Sequence, residues 1–291
     1  MNIKKILIPF AFVLFASSCS KEDKITGPDQ VSAITMLNVP YSGAALQKMD
    51  IYLPPGRSAA TTKVIIMIHG GGWTSGDKDS STRYVDTLRR RMPGYAVFNV
   101  NYRLSATPAN LFPTQEMDVK SAIEYIYNKR TEYNISDKFV LIGESAGGHL
   151  AMLYAYKYNA PIKIKAVVSF FGPSDLADLY NNPVNGNPLI SAGIAQAVGS
   201  TPSANPAIYS SSSPINFITA GTAMPTILLH GGMDALVSPT QSTTVKSRLT
   251  AVGIVNQYVL YPTKNHGYDW DNATFYDAFN NIQAFLTANV Q

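Results

Sequence analysis

The 291-residue chain has a single cysteine, Cys19, and only four histidines, and 14% of its residues are charged. One cysteine excludes an intramolecular disulfide and argues against a thiolate metal site. There is no run of like charges and no basic stripe, and the formal net charge is only +4. Two of those charges, Lys4 and Lys5, sit in a leader expected to be removed, so the mature chain lacks the electrostatic footprint of nucleic-acid binding. A Gly-Lys-Ser/Thr step is absent and no Gly-x-Gly-x-x-Gly opens a helix, which argues against a nucleotide-phosphate loop. The apolar run Ile6 to Ala16 is too short to span a bilayer as a helix. What is present is an ordinary globular composition, 46% hydrophobic, with length for one large core or two modest ones. Seventeen tyrosines and two tryptophans suit sugar or aryl contacts as well as core packing.

The first residues read as a targeting segment. Lys4-Lys5 form a basic region, the apolar stretch follows, and the small residues Ala16-Ser17-Ser18 precede Cys19. This resembles the lipobox of bacterial lipoproteins, with residues 1–18 as signal peptide and Cys19 as the lipidated first mature residue. The alternative is a plain signal peptide that ends near a cysteine. The polar run Ser20-Lys21-Glu22-Asp23-Lys24 and the Gly27-Pro28 step read as a flexible tether over 19–33. The resemblance implies export and attachment to a bacterial membrane through lipidated Cys19, at the outer membrane. The Lys-acid-acid run resembles a signal for the cell surface.

From about residue 34 short apolar runs alternate with helical patterns. Strands are expected at Ile34–Val39, Met49–Leu53, Val64–Ile68, Ala96–Val100, Phe139–Ile142, Ala166–Phe170, Thr226–Leu229 and Gln257–Tyr261. The later runs are continuous and rich in Val, Ile and Leu, as in strands buried on both faces. Val119, Ala122, Ile123 and Ile126 repeat at helical spacing, as do Phe275, Ala278, Phe279 and Ile282. The alternation predicts an α/β domain over 34–291, a mostly parallel eight-stranded sheet with helices on both faces. The first two strands are expected to form an antiparallel edge joined by a tight turn at Tyr41-Ser42-Gly43. Residues 178–215, rich in Asn, Pro, Ser and Gly, break the rhythm, with one short helix expected around Ile190–Ala197. A connection this long reads as a lid insertion or as a disordered surface insertion.

Chemistry concentrates at Gly143-Glu144-Ser145-Ala146-Gly147. An apolar strand precedes this run and a helical stretch follows it. That setting is a nucleophile elbow, in which Ser145 occupies a very tight turn and small neighbours let the backbone come close. A serine of this kind needs a base, an acid to orient it and donors for an oxyanion. His69, His149 and His230 fall on strand ends or on the following helix. Only His266, in Lys264-Asn265-His266-Gly267-Tyr268, lies on a loop free to reach the serine. Asp234, just past the Thr226–Leu229 strand, is the favoured acid because Ser, Asp and His then follow the usual chain order; Asp175 is its rival. His69-Gly70-Gly71-Gly72-Trp73 follows a strand, and its glycines can turn backbone N–H groups inward. Two such donors, with the Ala146 N–H, would stabilise a tetrahedral oxyanion. His69 reads as a residue holding this loop. Trp73, Tyr268 and Trp270 are candidates for pocket wall or for packing.

Taken together, HGGGW, Asn101-Tyr102-Arg103-Leu104, Phe112-Pro113, Asp118, GESAGGHLA, HGGMD with VSP, and NHGY resemble the α/β-hydrolase superfamily. More narrowly they resemble the hormone-sensitive-lipase-like esterases and the feruloyl/acetyl-xylan esterases. The likeness runs over nearly all of residues 45–290. It implies Ser145 as nucleophile, His266 as base, Asp234 as acid, Gly71, Gly72 and Ala146 as oxyanion donors, and structural roles for Tyr102, Arg103 and Asp118. The hormone-sensitive-lipase type often carries an N-terminal helical cap, where this sequence shows tether. The resemblance therefore favours an open carbohydrate esterase that uses no cofactor and no metal, acting on acetyl or feruloyl esters of polysaccharide. Alternatives are a lipase-like carboxylesterase, an amidase or exopeptidase of the same fold, and a non-catalytic binding protein.

Overall fold

The computed structural model describes residues 31–158 and 160–291. The expected signal peptide, Cys19 and the tether as far as residue 30 lie outside the described residues. Eight strands form one sheet: β1 (Ile34–Pro40), β2 (Lys48–Leu53), β3 (Lys63–Ile68), β4 (Tyr95–Val100), β5 (Phe139–Glu144), β6 (Ile164–Phe170), β7 (Thr226–Gly231) and β8 (Asn256–Tyr261). Their order is β1-β2-β4-β3-β5-β6-β7-β8. β2 runs antiparallel to both β1 and β4, and every pair from β4–β3 to β7–β8 is parallel. This is the sheet the sequence predicts.

The strand alternation divides the core between the two faces. Along β3, Val64, Ile66 and Ile68 enter one apolar cluster, and Ile65 and Met67 enter the other. Both faces are therefore covered, which is why the run carries no polar residue between Val64 and Ile68. On the first face lie α2 (Thr114–Lys129), α3 (Ala146–Lys157) and α7 (Pro239–Ala251), through residues such as Ile123, Leu150 and Val245. On the second lie α1 (Thr82–Arg91) and α8 (Asn272–Asn289), through Tyr84, Leu88, Phe275 and Phe279. The helical stripes expected at Val119–Ile126 and Phe275–Ile282 are the buried faces of α2 and α8.

Two expectations need correction. β1 and β2 do pair antiparallel, but their connection is no tight turn; it continues to Gln47. The Tyr41 hydroxyl donates to the Asn101 carbonyl at 2.6 Å and its N–H to the Gln47 carbonyl at 3.0 Å. This buried tyrosine draws the chain inward, and the longer loop is needed to return to the sheet edge. The segment after β6 holds three α-helices, where the sequence predicts one: α4 (Leu176–Asn181), α5 (Pro188–Val198) and α6 (Pro206–Ser211). Each has a capping residue legible in the sequence. Asp175, Asn187 and Asn205 accept from backbone N–H groups of the first turn, and proline follows both asparagines. Ile194, Ala197 and Val198 of α5 are buried, so this segment is packed rather than disordered.

Candidate active site

β5 ends at Glu144 and the chain turns at once into α3. Ser145, between them, adopts φ 52° and ψ −120°, a region that costs a non-glycine residue about 1–3 kcal/mol. Its N–H donates to the Phe170 carbonyl at 2.9 Å, tying the turn to β6. Close approach explains the flanking glycines. A Cβ on Gly143 would stand 2.3 Å from the Gly147 carbonyl, and one on Gly147 would stand 2.1 Å from the Ile68 carbonyl oxygen. β3, β5 and α3 can meet this closely only without those side chains.

His266 and Asp234 come to this serine from the loops after β8 and β7. The Ser145 hydroxyl lies 2.9 Å from His266 Nε2, and His266 Nδ1 lies 2.7 Å from Asp234 Oδ2. The His266 ring also packs against Phe171, with centroids 4.5 Å apart. Asn265 braces the loop. Its side-chain oxygen accepts from the N–H groups of His266 and Ala235, each at 2.9 Å. Its carbonyl accepts the Trp270 indole N–H at 3.0 Å. Trp270 is buried among Phe170, Phe171 and Tyr261, so of its two expected roles it takes packing.

The buried Asp234 carboxylate collects donors on both oxygens. Oδ1 accepts the N–H groups of Leu236 (2.9 Å) and Val237 (2.8 Å). Oδ2 is also 3.2 Å from His230 Nε2. Burial pushes its pKa up, but hydrogen bonds from His230 and His266, the His266 charge and the Val237 N–H together hold it well below the usual carboxylate range. Asp175, the rival acid, is elsewhere: it caps α4 by accepting the Asp178 N–H at 2.9 Å.

The other histidines are buried and bonded elsewhere. His69 is buried, stacked on Tyr102 with ring centroids 4.3 Å apart, and its Nδ1 faces the Gly70 carbonyl at 2.7 Å. His149 accepts the Trp73 indole N–H at 3.3 Å and donates to the Ser212 carbonyl at 2.7 Å; burial lowers its pKa to about 4. His230 bridges Val237 and Ser242 behind Asp234. Arg103 grips the buried Asp118 through Nε at 2.9 Å and a terminal nitrogen at 2.6 Å. The Tyr102 hydroxyl donates to the His69 carbonyl at 3.1 Å, beneath the glycine loop.

Gly71 and Gly72 have φ of +105° and +58°. The Gly71 carbonyl accepts from Thr74 and Ser75, which closes a compact turn. Among the described residues, the N–H groups of Gly71, Gly72 and Ala146 have no protein acceptor. Two cavities meet at Ser145 and His266. One, of about 330 Å³, has mostly apolar walls and includes Trp73. The other, of about 570 Å³, includes Ser80, Arg83, Glu144 and the exposed Tyr268. No group of three or more metal-ligating side chains that could hold an ion is found among the described residues.

Sequence reasoning passed over Glu144, the variable position of the elbow. Its carboxylate accepts from Ser81 at 2.8 Å, with the Tyr84 hydroxyl and the Gly70 N–H close by. Burial raises its pKa, against the pull of these donors and of His266. It links α1, the glycine loop and the elbow. Nothing in the local pattern marks it, because its partners come from Gly70 to Tyr84.

The family model described as BD-FAE matches residues 49–249. The chain belongs to the BD-FAE family. Among curated proteins it is similar to esterase LipQ of Mycobacterium tuberculosis (strain ATCC 25618 / H37Rv), 29% identical over 84% of this chain and 60% of LipQ. It is also similar to the probable carboxylic ester hydrolase LipM of the same organism, 30% identical over 76% of this chain and 53% of LipM. The chain thus spans little more than half the length of these relatives. Among solved structures it is similar to a truncated form of a carbohydrate esterase from gut microbiota. That match has a TM-score of 0.73 and 25% identity, over 89% of this chain and 99% of the other. This BD-FAE member has the α/β-hydrolase fold, with the serine, histidine and aspartate at the ends of its parallel strands.

Proposed function

We propose that this protein is a serine hydrolase of carboxylic esters. One observation carries the reading: Ser145, His266 and Asp234 form a continuous hydrogen-bonded line beside three unengaged backbone N–H groups. His266 Nε2 takes the Ser145 proton as the hydroxyl attacks the acyl carbonyl. Asp234 keeps the proton of the imidazole on Nδ1 and stabilises the imidazolium. The tetrahedral oxyanion is held by N–H groups of Gly71, Gly72 and Ala146, where losing one donor costs about 10²–10³ in rate. The alcohol leaves with the proton from His266. Water then enters by the same route in reverse, and the acid is released.

The substrate proposed is an acetyl or feruloyl ester of a polysaccharide. Its support is the likeness to a carbohydrate esterase and a site flanked by two cavities able to hold acyl and alcohol portions at once. The helices α4 to α6 would act as its lid. Residues 1–18 are proposed as a signal peptide and Cys19 as the lipid anchor to an outer membrane; the support is the basic, apolar and small-residue order before Cys19.

Hydrolysis of p-nitrophenyl acetate, p-nitrophenyl octanoate, acetylated xylan and methyl ferulate by wild type and Ser145→Ala tests the reading. Wild-type turnover that disappears in the variant is expected. A wild type no faster than Ser145→Ala on all four would overturn it.

A further inference from the structure

We propose that Gly193 sets the acyl specificity of this site, and that the apolar cavity under α5 receives a hydrocarbon or aryl acyl group much larger than acetyl. The inference rests on the ester-hydrolase reading and narrows it, favouring a large acyl group such as feruloyl over acetyl.

α5 presents Leu189, Ile190, Gly193 and Ile194 to the 330 Å³ cavity. The spacing i, i+1, i+4, i+5 places all four on one helix face. Trp73 and Leu236 contribute other apolar parts of the wall, and Ser145, His266, Thr74 and Asn187 are among its polar parts. Gly193 is the one position on that face without a side chain.

Glycine is a poor helix-interior residue and normally has a local reason. Gly199, at the end of the same helix, has two: a left-handed φ of +78° and Leu111, whose Cδ1 would lie 2.3 Å from an added Cβ. Gly193 has neither. It is not among the positive-φ glycines, and a Cβ built on it meets no atom within 4 Å. Neither backbone conformation nor packing requires glycine there. Its effect is to leave open space in the cavity wall.

The size and character of that space identify the guest. An apolar cavity of roughly 150 Å³ is enough for benzene, so an acetyl group would leave most of 330 Å³ without contact. An arylpropenoyl group or a chain of about eight carbons would fill it, and each buried methylene is worth about fourfold in binding. Leu189 and Leu236, on its wall, are 76% and 43% exposed. Uncovered apolar side chains at a cavity suit an apolar ligand. The alcohol then falls on the other side of Ser145, where Ser80, Arg83 and Glu144 offer polar partners.

The test uses wild type, Gly193→Ala and Gly193→Leu on p-nitrophenyl esters from acetate to octanoate, with methyl and benzyl acetate as an alcohol series. The octanoate-to-acetate ratio of kcat/KM is expected to fall about threefold in Gly193→Ala and at least about tenfold in Gly193→Leu. Gly193→Ala should at the same time raise Tm by roughly 2–4 °C, because alanine favours the helix and meets no obstacle. A raised Tm with an unchanged ratio would overturn the proposal. So would a loss that follows alcohol size at constant acetyl, which would make this cavity the alcohol site. If Gly193→Leu does not fold, the alanine variant decides alone. A wild type that hydrolyses none of the esters would remove the ester-hydrolase reading itself, and the acyl assignment with it.

Discussion

Asp234→Asn separates the role of the acid from the shape of the site. The carboxylate faces only donors: backbone N–H groups at 2.8 and 2.9 Å on Oδ1, His266 Nδ1 at 2.7 Å and His230 Nε2 at 3.2 Å on Oδ2. An asparagine keeps its oxygen on the two fixed backbone N–H groups, since the amide NH₂ would otherwise oppose both. Its NH₂ must then face His266 and donate to Nδ1. The imidazole proton moves to Nε2, which points at Ser145, and the base can no longer accept. His230 keeps the Val237 carbonyl at 2.9 Å as acceptor, so the fold is retained. The expected effect is a fall in kcat of about 10⁴ with KM little changed. At 1.36 kcal/mol per tenfold this is about 5 kcal/mol of transition-state stabilisation. Steady-state kinetics on p-nitrophenyl acetate, the labelling rate with a fluorophosphonate probe and a thermal melt measure all three quantities. A folded variant within tenfold of wild type would refute the reasoning. Asp175→Asn, which exchanges one good helix cap for another, should stay near wild type; a large loss there would return the role to Asp175.

Three further outcomes are expected. Burial lowers the His149 pKa from 6.5 to about 4, so its stabilising contribution is complete above pH 6.5 and is lost as pH falls toward 4. That loss is about 3 kcal/mol at 1.36 kcal/mol per unit. Glu144, raised by burial, acts in the opposite sense, its contribution being lost as pH rises. Urea midpoints at pH 7 and 4.5 for wild type and His149→Asn therefore isolate the histidine, and equal slopes would contradict the assignment. Gly147→Ala places a Cβ 2.1 Å from a β3 carbonyl and should cost about 2–4 kcal/mol and suppress probe labelling. Normal labelling and stability would show that the elbow can relax. Asp118→Ala strips the buried acceptor from Arg103 and Gln47 and should cost about 3 kcal/mol, with kcat per folded molecule within about threefold of wild type. A selective loss of kcat would move this pair into the catalytic machinery.

The sheet is legible in the sequence because its central strands are apolar on both faces and bounded by turn residues, as at Val64–Ile68 before His69. The helical stripes on α2 and α8 are legible for the complementary reason: one face alone is buried. The line of Ser145, Asp234 and His266 is legible because an elbow and two strand-end loops announce themselves locally. What is hidden depends on partners distant in the chain. Tyr41 lengthens the first hairpin only because Asn101, sixty positions away, accepts its hydroxyl. Trp73 and Trp270 look alike in the sequence, yet one lines a cavity and the other packs beneath a loop. α4 and α6 are each six residues, too short for a periodic pattern, and only their caps give them away.

The strand ends explain why a second tier of polar groups stands behind the first. Parallel pairing aligns Ile68 with Gly143, Glu144 with Phe170, and His230 with Leu260. The apolar runs of β3, β5 and β7 therefore stop at nearly one level, and the residues that end them are His69, Glu144 and His230. A buried polar group without a hydrogen bond is costly, so each is engaged through at least one atom, although His69 Nε2 has no partner. Each finds its partner in the loop that carries the chemistry. His69 bonds the Gly70 carbonyl, Glu144 lies beside Gly70 and accepts from Ser81, and His230 approaches Asp234. The need to satisfy these groups thus fixes the glycine loop and the acid as firmly as the strands fix the serine. A turn strained at Ser145 can persist because its surroundings leave it no other position.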